Sequence, residues 1–307
     1  HNSNLLFVSS EGTYGNGDGS ISVFYDNEMI QTVEEVGDVV QSIIVNNDHL
    51  FVIVNNSHKI KRYTITESGL NLPGIDIETS NSSPREMVIV DDKLYFTNWN
   101  SRDVKVLDLV TYSIVSAITL NGVPEDIVSD GDFLWVSIPM LELYDGNNGS
   151  SILKIDIESE SVVATYEVGR GPEHMLIEND ELWVSRTFYA SDWSSTYFGT
   201  SKIDLISDEV SIVNYGAGLV CGGNVLKLNN EVYRTVNGGV APEANTPGMD
   251  ATDHIVLEDE TVRGDPYTGN KIVQEANTGV GDITDVRMID IGNGYTSLPS
   301  LTITSSG

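Results

Sequence analysis

The sequence predicts an all-β fold, a β-propeller built by reusing one four-stranded antiparallel unit, and three observations carry that prediction. The first is a repeated segment: LLFVSS from Leu5, HLFVIV from His49, KLYFTN from Lys93, FLWVSI from Phe133, ELWVSR from Glu181 and EVYRTV from Glu231. Its third position is always aromatic, namely Phe7, Phe51, Tyr95, Trp135, Trp183 and Tyr233. Successive aromatics lie 44, 44, 40, 48 and 50 residues apart (51−7, 95−51, 135−95, 183−135, 233−183), the length of a propeller blade and too variable for a rigid solenoid. The second is the content of each repeat, which resolves into four short β segments A to D. EDIVSDG, DFLWVSI, SSILKIDI and SVVATYEVG between Glu125 and Gly169 show them best. The third is that helical periodicity is nearly absent, whereas the C segments SISVFYD, KIKRYTI, DVKVLDL and TSKIDLI alternate in part, as sheets packed between neighbours do.

Six blades are favoured and seven is the alternative. The first repeat starts directly at strand B, and DITDVRMID at 282–290, which is similar to PREMVIVDD from Pro84 and PEHMLIEND from Pro172, is expected to supply the missing A strand and close the ring. A seventh blade would need the tail, including SLTIT at 300–304. The expected division is therefore propeller blades over 1–252, then ring-closing strands and a small attachment segment over 253–307. The repeat is weakest between Gly238 and Gly281, where HIVLED and KIVQE fit it poorly.

Composition narrows the function classes. The chain has 307 residues, 40% of them hydrophobic, which is enough for a substantial core. Its 46 acidic against 16 basic residues give a net charge of -30, so its field repels nucleic acid and anionic membrane. No apolar run approaches the roughly 20 residues of a membrane helix, so membrane insertion is not expected. Cys221 is the single cysteine, too few for an internal disulfide or a cysteine metal cluster, and is expected to be a small buried hydrophobe. The chain opens at His1 rather than Met, so upstream processing or truncation is expected and the compartment is not readable there.

Meander connectivity sorts the loops onto two faces. The A-to-B turns, NND at 46–48, DD at 91–92, DGD at 130–132, END at 178–180 and NNE at 229–231, make one face acidic, and Asn, Asp and Gly there serve tight turns. The B-to-C loops differ greatly in length, which makes them the best candidates for recognition. Three are long: 11–20, 139–151 and 186–200. The last packs Phe188, Tyr189, Trp193, Tyr197 and Phe198 into eleven positions, suited to stacking on sugar rings, to anchoring a protein partner, or to a mini-core of its own.

Other polar groups are weighed against plainer readings. Glu86, Glu125 and Glu173 at the starts of A strands are candidates for a carboxylate ring at the channel rim, with His174 beside them. The plainer reading, a Pro-Glu that begins a strand with its charge facing solvent or channel water, is the favoured one. Asp18 in GNGDGS, with Asp145 and Asn147 in YDGNNGS, offers oxygen ligands of the kind calcium takes, but without the spacing and terminal Glu of an EF-hand, and turn chemistry explains both. No cofactor other than such a calcium ion is expected. P-loop, GxSxG, HExxH and paired-Cys motifs are absent.

EGTYGNGDGSISVFY from Glu11 to Tyr25, with the recurring P-E-x-(I/M), LWVS, KIDI and VVATYEVG, resembles YncE-like β-propeller proteins over residues 4–236. That family implies a secreted or surface bacterial protein. DHIVLEDET, GNKIVQE and GDITDVRMIDIGNGYTSLPSLTIT between Asp253 and Thr304 resemble segments of virion structural proteins of marine tailed phages. The carrying residues are Gly292, Gly294, Tyr295, Pro299, Leu301 and Ile303, and the likeness implies a tail-appendage context. The blade pattern also resembles streptogramin lyases, metal-dependent propeller enzymes that use His and Glu from adjacent blades. His174 matches only in strand pattern, its equivalents being Glu86 and Asp126.

The expected function is a non-enzymatic structural and recognition propeller in an extracellular assembly, a phage virion in the first instance. Protein partners in a multimeric assembly and a surface glycan or receptor are expected. The alternatives are a secreted or surface bacterial propeller that binds glycan or protein or assembles by β-strand addition, and a lyase-type enzyme centred on His174.

Overall fold

The computed structural model describes residues 5–26, 28–217, 223–228, 231–236, 253–256 and 261–263. Regular structure among them is entirely β, and two compact units divide between Gly131 and Asp132. Cys221, the ring-closing stretch 282–290, KIVQE, the phage-like glycines and SLTIT lie outside the described residues.

Among the described residues the first sheet has three strands, β1 (Leu5–Ser10), β2 (Gly19–Tyr25) and β3 (Glu28–Gly37), corresponding to segments B, C and D of the repeat. Four-stranded antiparallel sheets follow in chain order. They are β4 (Val40–Asn46) to β7 (Gly69–Glu78) through β5 (His49–Val54) and β6 (Lys59–Thr66), then β8 (Pro84–Val90), β9 (Lys93–Asn98), β10 (Asp103–Asp108) and β11 (Ser113–Thr119). The fourth is β12 (Ile127–Ser129), β13 (Phe133–Ile138), β14 (Ser151–Asp156) and β15 (Ser161–Glu167), with the unit division in its first turn. The fifth comprises β16 (Pro172–Glu178), β17 (Glu181–Tyr189), β18 (Thr196–Asp204) and β19 (Val210–Ala217). In the sixth, β20 (Val225–Leu228) and β21 (Glu231–Val236) are joined by β22 (Asp253–Val256) and β23 (Thr261–Arg263). Since β22 pairs with β21, the division expected after residue 252 falls between two strands of one sheet.

These sheets make the fold a β-propeller. Within the first unit the innermost strands β1, β4, β8 and β12 adjoin in sequence order, and in the second β16 adjoins β20. The B strands β5, β9, β13 and β17 are buried almost throughout, which is why their sequences are mostly apolar runs rather than alternations, whereas β1 is only partly buried. The aromatics Phe51, Tyr95, Trp135, Trp183 and Tyr233 are all buried at the third position of a B strand, and Phe7 is half-buried in the equivalent place. In two sheets the aromatic sits under the cross-strand lysine: Lys154 lies 4.8 Å from the Trp135 ring centre and Lys202 4.9 Å from Trp183.

The fifth position of the B strand has its own task. Strands A carry a bulge, so pairing jumps from Pro84↔Asn98 to Met87↔Phe96 and from Pro172↔Arg186 to Met175↔Val184. The skipped backbone needs a partner. Thr97 Oγ1 accepts from the Glu86 N–H at 3.1 Å and donates to the Glu125 carbonyl at 2.6 Å in the next sheet. Ser185 Oγ accepts from the His174 N–H at 3.1 Å, and Ser137 Oγ donates to the Glu173 carbonyl at 2.7 Å. The second sheet carries Ile53 at this position, and the hydroxyl is supplied across the ladder by its register partner Ser42, which donates to the Arg85 carbonyl at 2.9 Å.

Turns repeat as faithfully. Asn47, Asp91, Asn179 and Asp180 in the A-to-B turns have left-handed backbones, with φ of 54°, 52°, 51° and 63°. The last turn residue's carbonyl accepts from a residue within or just after the end of strand C: Ile65 to Asp48, Leu109 to Asp92, Ile157 to Asp132 and Leu205 to Asp180. C-to-D turns are closed by an aspartate. Asp108 accepts from the Thr111 N–H at 2.7 Å, Asp156 from the Ser159 N–H at 2.7 Å and Asp204 from the Ser207 N–H at 2.8 Å. The outer pairs β10–β11, β14–β15 and β18–β19 each carry a bulge, at Val106/Leu107, Lys154/Ile155 and Phe198/Gly199.

Thr97→Val removes one hydroxyl and strands two buried backbone groups, so it should lower unfolding free energy by about 2–4 kcal/mol, read from urea denaturation. The turn aspartates set an acid limit. The Thr111 N–H holds Asp108 below its ordinary 3.8, the Ser159 hydroxyl does so for Asp156 and the Ser207 N–H for Asp204. A carboxyl with a lowered folded value contributes stability above its unfolded value that is lost as pH falls through the folded one. The denaturation midpoint should therefore drop as pH falls below 3.8, and Asp108→Asn, which keeps the acceptor without the titration, should show a shallower fall.

Candidate functional site

The residues expected at the channel rim sit at the bulged starts of A strands or just ahead of one. In β8 the bulge holds Arg85 and Glu86 and in β16 Glu173 and His174, whereas Glu125 and Asp126 lead into β12. Glu125 does not stand free: Arg85 Nη2 donates to its Oε1 at 2.6 Å, Arg85 Nε lies 3.2 Å from both oxygens, and Trp99 Nε1 donates to Oε2 at 2.8 Å. The same guanidinium stacks 4.0 Å from the Trp99 ring and donates to Gln41 Oε1 at 2.6 Å. Three consecutive A strands are thereby linked through side chains at one level. Glu86 and His174 are buried, and Glu173 is half-buried with Asn147 Nδ2 donating to its Oε1 at 3.2 Å.

The loops that suggested calcium are closed by their own backbone. Asp18 Oδ1 accepts from the Thr13 N–H at 2.6 Å, which holds its carboxyl below the ordinary value. Asp145 accepts from the Leu141, Glu142 and Asn148 N–H groups at 2.9, 3.2 and 3.0 Å. Asn147 turns away and donates to the Thr187 carbonyl at 2.7 Å. Among the described residues no group of three or more His, Cys, Asp or Glu side chains is gathered to hold a metal ion.

The aromatic stretch is mostly strand where a loop over 186–200 was expected. β17 runs to Tyr189 and β18 starts at Thr196, leaving 190–195 as the connection. Thr, Phe and Tyr on both sides favour extended chain, and Phe188 and Tyr197 form a cross-strand pair with rings stacked 5.4 Å apart at 12°. Arg170 covers Phe188 at 4.9 Å. Tyr189 packs on Trp193 at 5.1 Å, and Trp193 is 56% exposed with a left-handed φ of 60°. Phe198 belongs elsewhere: it packs on Tyr215 at 5.3 Å and on the core of Trp183, Val225 and Val232.

Beneath this hairpin lies a pair of arginines that sequence reasoning missed. Arg186 is buried, its Nη2 donating to Asn214 Oδ1 at 2.6 Å and the Val213 carbonyl at 2.8 Å. A Cβ on Gly169 or Gly199 would collide with its guanidinium, so two glycines form its slot. Arg234 donates to the Arg186 carbonyl at 3.0 Å and lies 5.2 Å from the Phe198 ring. Burial pulls both guanidinium groups down to about 10, which leaves them charged at neutral pH. The Arg in ELWVSR and EVYRTV was the available signal, since charge inside an otherwise apolar B strand needs a built partner set.

The folds and contacts above define a repeat propeller, and comparison with solved structures agrees. No protein-family model matches the chain, and no curated protein matches it. Solved structures do. A 6-phosphogluconolactonase-like protein from Bacteroides uniformis aligns with a TM-score of 0.59 at 8% identity, covering 85% of this chain and 80% of that one. The WD40 domain of Neurospora crassa Pan2 gives 0.55 at 11%, covering 76% and 72%, and Kuenenia stuttgartiensis hydrazine synthase gives 0.54 at 16%, covering 70% of this chain and 62% of that one. At such identities the likeness is one of fold.

Glu125→Gln keeps the shape and removes the charge facing Arg85. The expected loss is about 2 kcal/mol in urea denaturation, below that of a fully buried pair because Arg85 retains some solvent.

Proposed function

We propose that the chain is a non-enzymatic recognition propeller of an extracellular, multi-copy assembly, a phage tail appendage in the first instance, with the tip of the β17–β18 hairpin as its contact. The observation that carries this is Trp193, which stands 56% exposed on a hairpin stiffened by the Phe188–Tyr197 stack and the Tyr189 ring. A large aromatic on rigid backbone contacts a partner at small entropic cost. Its left-handed φ is a conformation that Asn or Gly takes with less strain, so folding alone does not favour tryptophan there. The assembly context rests on the likeness of residues 253–304 to segments of virion proteins.

The test is binding of the purified chain to a glycan array and to a displayed library of random peptides, beside a Trp193→Asn variant. Asn accepts the backbone, so the variant should melt no lower than the wild type while losing the binders that the wild type gains. Binders retained in full by Trp193→Asn, or none from either source, would remove the hairpin as the contact. Antibody labelling of tailed particles by electron microscopy tests the assembly, and label confined to cell envelopes would replace the virion with a bacterial surface.

A further inference from the structure

Within the second unit, the hairpin tip has a second loop tied beside it. Residues 139–150 follow β13, and the Tyr189 N–H donates to the Gly146 carbonyl at 3.1 Å. Arg170 Nη2 bridges the two, donating to the Gly146 carbonyl at 3.1 Å and the Tyr189 carbonyl at 2.9 Å, and Asn147 Nδ2 reaches the Thr187 carbonyl at 2.7 Å. The Gly171 N–H adds a bond to the Gly149 carbonyl at 2.8 Å. Two adjacent sheets therefore present their long loops as one fixed surface. On these two tied loops Tyr144 is 71% exposed, Trp193 56% and Leu141 54%, with Leu143 also exposed. Exposed apolar groups on adjoining loops mark interaction surfaces.

Charge selects the occupant. The segments 139–150 and 190–195 contain Glu142, Asp145 and Asp192 and no Lys or Arg. Arg170 is the cation fixed between them, and its guanidinium is spent on two backbone carbonyls and the Phe188 ring. Asp192 accepts from the Ser194 N–H and hydroxyl, and Asp145 from backbone N–H groups, so these bonds to the two carboxylates come from neutral donors. The whole chain carries -30, which opposes a second copy of itself, an anionic membrane or a nucleic acid at the same place.

We infer that this two-loop surface binds a protein partner that offers aromatic or aliphatic side chains flanked by Lys and Arg. The inference rests on the recognition reading above and narrows it to a partner chemistry. Tyr144, Leu141 and Trp193 supply the apolar centre, and the three carboxylates supply the attraction for a basic rim.

The experiment pans displayed random peptides against the wild type, with a Tyr144→Ser, Trp193→Asn double variant as counter-selection, and measures synthetic versions of the enriched peptides by titration. The expected peptides combine aromatic or aliphatic residues with Lys or Arg, lose about thirtyfold in affinity on either single substitution, and weaken as salt is raised. Ile206→Ser, on an 80% exposed residue of the β18–β19 turn in the same unit, should leave the affinity unchanged, and unaltered melting of all three variants separates contact from folding. Enriched peptides without basic residues, or affinity indifferent to salt, would overturn the inference. Glycans bound through Trp193 would also overturn it while leaving the recognition reading standing; loss of binding on Trp193→Asn but not on Tyr144→Ser would reduce the surface to the hairpin alone and overturn the two-loop site.

Discussion

The hydroxyl at the fifth position of the B strand is the constraint on which the propeller depends. A bulge in strand A leaves a backbone N–H without its ladder partner at a point with almost no water, and an orphan there is costly. Thr97 and Ser185 cancel that cost within their own sheets, and Thr97 and Ser137 spend the same atom again on a carbonyl of the following sheet. One small group thus satisfies local geometry and couples neighbours. Ser42 shows that the chemistry, rather than the position, is what matters: where Ile53 has no hydroxyl, the residue opposite it carries one. The two recurring Ser residues in LWVS therefore have the same explanation as the recurring tryptophans, one polar and one apolar side of the same packing problem.

Built this way, the sheets fix their connections firmly. The turn aspartates and the carbonyls of Asp48, Asp92, Asp132 and Asp180 repeat with nearly constant geometry, so one face is regular. Individuality is confined to the other side and to the bulge. Arg85, Glu125, Trp99 and Gln41 form an ion pair capped by an aromatic, and the buried Arg186 sits in a slot of two glycines beneath the aromatic hairpin. Such groups are expensive to bury and hold only one arrangement, which favours a defined loop position over raw stability.

The strand order and the aromatic register were legible in the sequence because B strands as buried as β5, β9, β13 and β17 must be written as apolar runs, and the aromatic at the third position recurs in all six repeats. Strand ends were less legible. Residues 186–200 look like a loop by their Ser, Asp and Gly content, yet cross-strand pairing of Phe188 with Tyr197 extends both strands by several residues. Phe198 alternates to the opposite side of the sheet and joins the core, a consequence of the two-residue period that counting aromatics in a window conceals. The rim carboxylates were visible as a pattern, but the partner of Glu125 is an arginine 40 residues earlier in a different sheet, and no local rule links them. The loops expected to suit calcium contain the anticipated oxygen atoms, and their backbone N–H groups take up much of that capacity.

Bulges in the outer strand pairs bear on how such molecules behave when crowded. Val115, Val162 and Val163 lie exposed on edge strands β11 and β15, a composition that would otherwise invite lateral zipping into fibres. The extra residue, Val115 opposite Val106/Leu107 and Val163 opposite Lys154/Ile155, twists each rim out of the flat register that a growing filament copies. Crowded molecules are thereby kept from fusing along these margins.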